Sequence, residues 1–350
     1  MASPSVTPSP TPTPTPDVAA ELVAAMSVRD RLASLLILHS AGTDPAALKT
    51  FVDAYHPGGL ILMGDNVGAG ITDVAAITRA VSADPPLILS IDEEGGDVAR
   101  LPEDDLPAGH HLAEAPAQST TDAFTQRAAL VRQAGLNTNF GIVADITADP
   151  DSFIFSRVLG TDPGSASERV AAAVRAEASA GVLSTLKHFP GHGAAAGDSH
   201  SSLPHTDLDF DRWKAAEARP FAAGIDAGAD AVMLGHLVYS AVDSLPASLS
   251  PRWHDILRDD LDFDGLIVSD DMGMLENSGD PVYAGRVTNA VSALVAGTTM
   301  LVIVADGPHP ISPADLLSGL EAAVADGRLP LATVNAAAEL AMEQRLALTS

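Results

Sequence analysis

Cysteine is absent from the 350 residues, which excludes disulfide frameworks, thiolate nucleophiles and cysteine-ligated zinc. Basic residues are scarce: 19 lysines and arginines stand against 46 acidic residues, a formal net charge of -27. A surface of that sign repels phosphate backbones and anionic membranes, which argues against a nucleic-acid partner. The carboxylates are dispersed along the chain, so solubility accounts for them without an acidic-tail function. No run approaches the roughly 18 consecutive apolar residues of a membrane-spanning helix, and the N-terminus has neither the basic start nor the apolar core of an export signal. Three motif absences narrow the chemistry further. No Gly-rich phosphate loop follows the first strands, no H-E-x-x-H is present, and no G-x-S-x-G elbow surrounds Ser199 or Ser269.

What the chain does contain begins with Met1 to Asp17, where Pro alternates with Ser and Thr. Such a segment cannot bury apolar surface and is expected to be extended and disordered. Tethers of this kind join exported domains to a membrane or wall anchor. The expectation is a secreted or surface-tethered protein whose export signal has been removed, with a cytoplasmic protein as the alternative.

From Val18 to the end, 18–350, short apolar runs alternate with longer Ala- and Leu-rich segments. An early helix is expected behind Ser27 as N-cap, with Val28, Leu32 and Leu35 at helical spacing. Strands are expected at Leu36–His39, Gly59–Met63, Leu87–Asp92, Thr138–Val143, Val182–His188, Ala231–His236, Leu266–Asp270 and Met300–Ala305. Between them the pattern predicts helices over Pro45–Tyr55, Asp73–Ala83, Asp122–Ala134, Ser165–Ala180, Trp213–Ala227, Pro251–Leu261 and Tyr283–Val295. Eight strand-helix repeats close most simply as a parallel barrel with right-handed crossovers. The expected fold class is therefore α/β, a single (β/α)8 TIM-type barrel, with an open doubly wound sheet as the alternative.

In such a barrel the loops after the strands share one face, and reactive side chains should collect there. The stretch GLIVSDDMG runs an apolar strand straight into Asp270 and Asp271, one of which is expected to cap the following helix. IDEEGGDVAR gives Asp92, Glu93, Glu94 and Arg100 around a double glycine; Asp145 ends the fourth strand, Arg157 follows in its loop, and His236 ends the sixth. The densest segment is KHFPGHGAAAGDSH, with Lys187, His188, His192, Asp198 and His200. A loop this polar costs ordering entropy without core burial in return, so binding is its natural account. The histidines are broken by Pro190 and several glycines and not held on a helix, so no metal site is expected. Asp198 and His200, two residues apart on an extended loop, point the same way, and the carboxylate can orient an imidazole for proton transfer.

Taken together, IDEEGG with Arg100, NTNFGIVAD, the arginine of SRVLGTDP, KHFPGHG with DSH, VMLGH and ILRDDLDFDGLIVSDDMG resemble glycoside hydrolase family 3 in its β-N-acetylglucosaminidase branch. The resemblance runs from about Val28 to about Val304. It implies that Asp270 is a nucleophile forming a covalent glycosyl-enzyme and that Asp198 and His200 are an acid/base dyad in which His200 moves the proton. It further implies that Asp92, Arg100, Arg157, Lys187 and His188 hold the terminal sugar. Arg157 and Lys187 also have a structural reading, as neutralising partners of nearby carboxylates. Asp97 stands where the family usually has arginine. A single barrel without the second domain of the larger β-glucosidases is expected to match the small hexosaminidase type. The implied partners are an N-acetylglucosamine-containing carbohydrate and inorganic phosphate, with no cofactor. A β-N-acetylglucosaminide phosphorylase and a catalytically inactive sugar-binding module are the alternatives.

Overall fold

The computed structural model describes residues 18–304 and 311–349. The Pro/Thr-rich segment and Ala305, the last residue of the expected eighth strand, lie outside the described residues. Among those described, eight strands form one parallel sheet: β1 Leu36–Leu38, β2 Gly59–Leu62, β3 Ile88–Ile91, β4 Thr138–Val143, β5 Leu183–Phe189, β6 Ala231–Leu234, β7 Leu266–Ser269 and β8 Leu301–Ile303. Each pairs with its neighbour in sequence, and β8 returns to β1 with Leu36 opposite Leu301. A parallel bridge between Val268 and Met300 joins the last strand to β7 and completes the ring. All eight expected strands are present, with ends that differ by a residue or two.

The strand sequences explain the closure. Both faces of each strand are buried, so the strands read as continuous apolar runs, and alternate residues serve two cores. Ile37, Ile61, Ile88, Phe140, Met233, Val268 and Val302 fill the barrel interior. Their neighbours Val232, Leu234 and Ile267 face outward against the helices. Below this interior the barrel's N-terminal end is plugged by the helix Leu331–Ala347, whose Leu340 and Ala341 join the interior cluster. Arg345 of that helix donates to the carbonyls of Pro86 at 2.7 Å and Pro85 at 3.0 Å, just ahead of β3. This helix and the preceding Pro313–Ala325 were not expected from the strand-helix count.

Other helices depart from expectation for identifiable reasons. Ser27 does cap Val28–Ser34, accepting from the Asp30 amide at 3.1 Å. The expected helix Trp213–Ala227 is two, Phe210–Ala215 and Ala218–Asp226. Pro220 has no N–H for the carbonyl of residue 216, and its ring clashes with that carbonyl in a continuous helix, so the chain breaks there. Pro251–Leu261 is helical only through Asp255 and then widens into a π turn over Ile256–Asp260. Gly285 delays the helix expected at Tyr283, which spans Arg286–Ala296.

Candidate active site

At the C-terminal end of the barrel the interior side chains Ile61, Phe140, Met233 and Val302 form the floor of a cavity of about 320 Å³. Asp92, Arg100, Arg157, Lys187, His188, His200 and Asp270 all line it. Asp198 does not line it. Its Oδ1 instead takes the His200 Nδ1 at 2.7 Å and the His200 amide at 2.9 Å, so the carboxylate holds the ring from behind. The lining residues singled out from sequence, on four separate strand ends and their loops, thus meet around one space.

Asp270 follows β7 directly. Its amide donates to the Leu234 carbonyl at 3.0 Å, and its Oδ1 accepts from the Asp271 amide at 2.8 Å. Burial pushes the Asp270 carboxyl up, but His188, His236, the Asp271 amide and Lys187 outweigh it and keep it below the ordinary carboxylate value. Asp271 is its counterweight. Its Oδ1 accepts from Gly273 N at 3.2 Å and Val304 N at 2.9 Å, which caps the turn into the helix Gly273–Asn277 and ties down the end of β8. Burial pushes Asp271 up to about 6, so two adjacent carboxyls are tuned in opposite directions.

The opposite wall is built on an ion cluster. Arg157 reaches Glu94 with two parallel bonds, Nε to Oε2 at 2.9 Å and Nη2 to Oε1 at 2.7 Å. Lys187 Nζ lies 2.7 Å from Glu94 Oε1 and 3.1 Å from Asp92 Oδ1, and Arg100 Nη2 lies 3.5 Å from Asp92 Oδ2. Against burial, Lys187 and Arg157 bring Glu94 down to about 2, and Glu94 in turn raises both cations. The structural reading of Arg157 and Lys187 holds, since both neutralise carboxylates, and both also line the cavity. Gly95 and Gly96, with φ of 81° and 60°, make the turn that swings Arg100 back toward Asp92. Asp97 is exposed on that turn and is not among the cavity residues.

Asp145, after β4, organises the fifth loop from beneath. It accepts His188 Nδ1 at 2.8 Å and the His192 amide at 2.6 Å. Burial lowers His192 to about 4, so that ring is neutral near pH 7, and its Nε2 lies 3.1 Å from Ser199 Oγ. His236 is held between Ser248 Oγ at 2.7 Å and the Asp271 carbonyl at 2.9 Å. Each of these imidazoles is committed to a partner of its own. Among the described residues no group of three or more His, Asp or Glu is arranged to hold a metal ion. Ser269 Oγ accepts from the Val302 amide at 3.1 Å. Of the two aspartates one of which was expected to cap the following helix, Asp271 is the one that does, whereas Glu94, Asp145 and His236 stood at strand ends in the sequence without an assigned task. Met63, Val98 and Met274 complete the wall and read as core.

Three further carboxyls, Glu93, Glu177 and Glu217, lie behind the loops, and burial pushes each up to about 8. A group raised in the folded state binds a proton that the unfolded chain releases, so unfolding becomes easier as pH rises through the interval. Lowered groups act oppositely. Glu94, Asp145, Asp270 and the buried His192 and His254 give stability that is lost as pH falls toward their native values. At pH 6.5 the unfolded-state counterparts of His192, His236 and His254 are still about half protonated, an opposing effect that fades by about pH 7.5 and that the three glutamates, protonated only in the native state, outweigh. The melting temperature is therefore expected to fall between about pH 6.5 and 8, and Glu217→Gln should flatten that fall. A rising profile in the wild type, or an unchanged slope in Glu217→Gln, measured by calorimetry, would contradict this.

Ionised carboxylates beside fixed cationic donors suit the attack on, and the holding of, a polyhydroxylated ring, and the class this barrel and cavity define is the glycosidases. The chain belongs to glycosyl hydrolase family 3: residues 27–342 match the model of the family's N-terminal domain. A beta-hexosaminidase of Methylococcus capsulatus is 35% identical over 279 residues, 76% of this chain and 80% of that protein. One from Pseudomonas aeruginosa is 35% identical over 254 residues, 70% of this chain and 75% of its own. Among solved structures, a glycoside hydrolase family 3 beta-N-acetylglucosaminidase from Paenibacillus superposes with a TM-score of 0.84 at 30% identity. The match covers 93% of this chain and 64% of the Paenibacillus enzyme's length. A beta-N-acetylhexosaminidase from Beutenbergia cavernae gives 0.82 at 27% identity, covering 92% and 99%. Among the described residues no helix is long and apolar enough to cross a membrane.

Proposed function

We propose that the protein is an exo-acting, retaining β-N-acetylglucosaminidase that removes terminal N-acetylglucosamine from chitin or peptidoglycan fragments. The observation that carries this reading is the pairing of a buried carboxylate held ionised, Asp270, with an oriented and accessible imidazole, His200, around one cavity. The names and similarity of the relatives support the sugar. In the first step an Asp270 oxygen attacks the anomeric carbon while His200 Nε2 gives its proton to the departing glycosidic oxygen. In the second, the same nitrogen takes a proton from water as the water oxygen displaces Asp270, and the anomeric configuration is retained. Asp92, Arg100, Arg157 and Lys187 present the charges, and His188 a ring nitrogen, that hold the ring's hydroxyls and substituents.

Using histidine where most retaining glycosidases use a second carboxylate has an electrostatic consequence. After giving up its proton the ring is neutral and repels an incoming anion less than a carboxylate would, which supports phosphate as a competing acceptor. Incubating the enzyme with N,N′-diacetylchitobiose and following the products by NMR tests both readings. The first N-acetylglucosamine released should be the β anomer, and N-acetylglucosamine 1-phosphate should appear when phosphate is added. Initial release of the α anomer would exclude retention. Free sugar alone at high phosphate would exclude phosphorolysis while leaving the hydrolase intact.

A further inference from the structure

Compared with Asp270, the dyad is loosely held. Asp198 and His200 side chains are 40% and 62% exposed, and the bond between them fixes one ring nitrogen while leaving the imidazole free to swing about that bond. Between them Ser199 is buried and reaches His192 Nε2, and His192 is anchored through its amide to Asp145. One side chain from a different loop touches both imidazoles. Phe153, in the segment after β4, has its ring centroid 5.5 Å from that of His192 and 5.6 Å from that of His200. The contact with His200 is edge-on, with an interplanar angle of 70°. On the same ring the Arg157 guanidinium carbon stands 5.7 Å from the centroid. Arg157 is itself clamped to Glu94, so Phe153 rests on the buried ion cluster and reaches out to the exposed half of the site. Phe153 is also among the few large apolar side chains left partly exposed, at 37%.

We propose that Phe153 is a positioning residue for His200: its ring, seated on Arg157 and His192, stops the rotation that the Asp198 hydrogen bond allows, and so aims His200 Nε2 at the glycosidic oxygen. An aromatic ring suits this task because edge-to-face contact has a preferred geometry that an aliphatic side chain of similar bulk lacks. The inference rests on His200 being the acid/base. Phe153 does not line the cavity, so its effect has to pass through a lining residue it touches, His200 or Arg157, and only a path through His200 makes the effect depend on the leaving group.

The test is a leaving-group series of β-N-acetylglucosaminides, from 2,4-dinitrophenyl to the disaccharide, run on wild type, Phe153→Ala, Phe153→Leu, Phe153→Tyr, His200→Ala and the double variant Phe153→Ala/His200→Ala. Phe153→Ala and Phe153→Leu should each lose about tenfold in kcat/KM on the disaccharide, the scale of one lost aromatic contact. Both should lose little on the dinitrophenyl glycoside, and Phe153→Tyr should restore the disaccharide rate. Adding Phe153→Ala to His200→Ala should cost nothing further, because the group being positioned is gone. Equal losses on all substrates, or the same tenfold loss in the His200→Ala background, would overturn the proposal in favour of a general structural role. If His200→Ala itself shows no dependence on the leaving group, the acid/base assignment fails and this inference fails with it.

Discussion

Asp270→Ala is expected to abolish turnover on every β-N-acetylglucosaminide, whereas His200→Ala is expected to be selective. Departure of the aglycone always requires a group that attacks the anomeric carbon, but requires an acid only when the leaving oxygen is basic. A 2,4-dinitrophenolate departs unprotonated, so glycosylation of Asp270 survives the loss of His200 while release by water slows for want of a base. On unactivated sugars the loss should be about a hundredfold to ten-thousandfold, the usual contribution of general acid-base help. With the activated substrate a covalent adduct on Asp270 should accumulate and be visible by mass spectrometry of the intact protein. Azide, which needs no base, should restore turnover and yield a β-glycosyl azide. Equal losses on activated and unactivated substrates, without adduct or azide product, would remove His200 from the chemistry and leave its loop a binding element.

The second large effect is expected at Glu94. This carboxylate is almost fully buried and bonds to both Lys187 and Arg157, and Lys187 is as deeply enclosed. Glu94→Gln keeps the shape of the side chain and removes the charge, leaving two desolvated cations with Asp92 as the remaining acid in contact with Lys187. Breaking a buried pair by removing one partner costs about 3–5 kcal/mol, because the orphaned charge stays desolvated. The free energy of unfolding in urea should drop by that amount. Arg157 also loses its fork-like anchor, so KM should rise together with the fall in stability. A loss under about 1 kcal/mol with unchanged kinetics would mean that the two cations are oriented from elsewhere.

The barrel was legible because parallel strands buried on both faces leave continuous apolar runs such as Leu266–Val268, and the polar residues that end those runs share a face by geometry. Asp270, Lys187, His188 and the Asp198–His200 spacing could be picked out on that basis, and the structure gathers Asp270, Lys187, His188 and His200 with Asp92, Arg100 and Arg157 around one cavity, with Asp198 behind His200. Other features had no local signature. Met274 and Val98 line the cavity, yet an apolar residue facing a ligand looks the same in sequence as one facing the core. Glu94 was visible as an acid but not as the hub of two cations, because its partners come from loops 63 and 93 residues further along. Leu331–Ala347 was missed because a helix that plugs a barrel end falls outside the strand-helix alternation used to count the fold. The break at Pro220 does have a local signature, a proline without an N–H to donate, but it stands in an Ala-rich stretch whose composition favours one continuous helix.

In the proposed reaction Asp270, the nucleophile, stands on the packed end of β7, tied to Leu234, while His200, the proton donor, rides on a solvent-exposed loop steadied by side-chain contacts. Selection, natural or in the laboratory, can therefore act on the two halves separately. Changes at residues 153 and 192–202 would retune which acceptor ends the reaction, whether water, phosphate or a second sugar, while recognition of the terminal sugar stays under the control of side chains rooted in the strand ends.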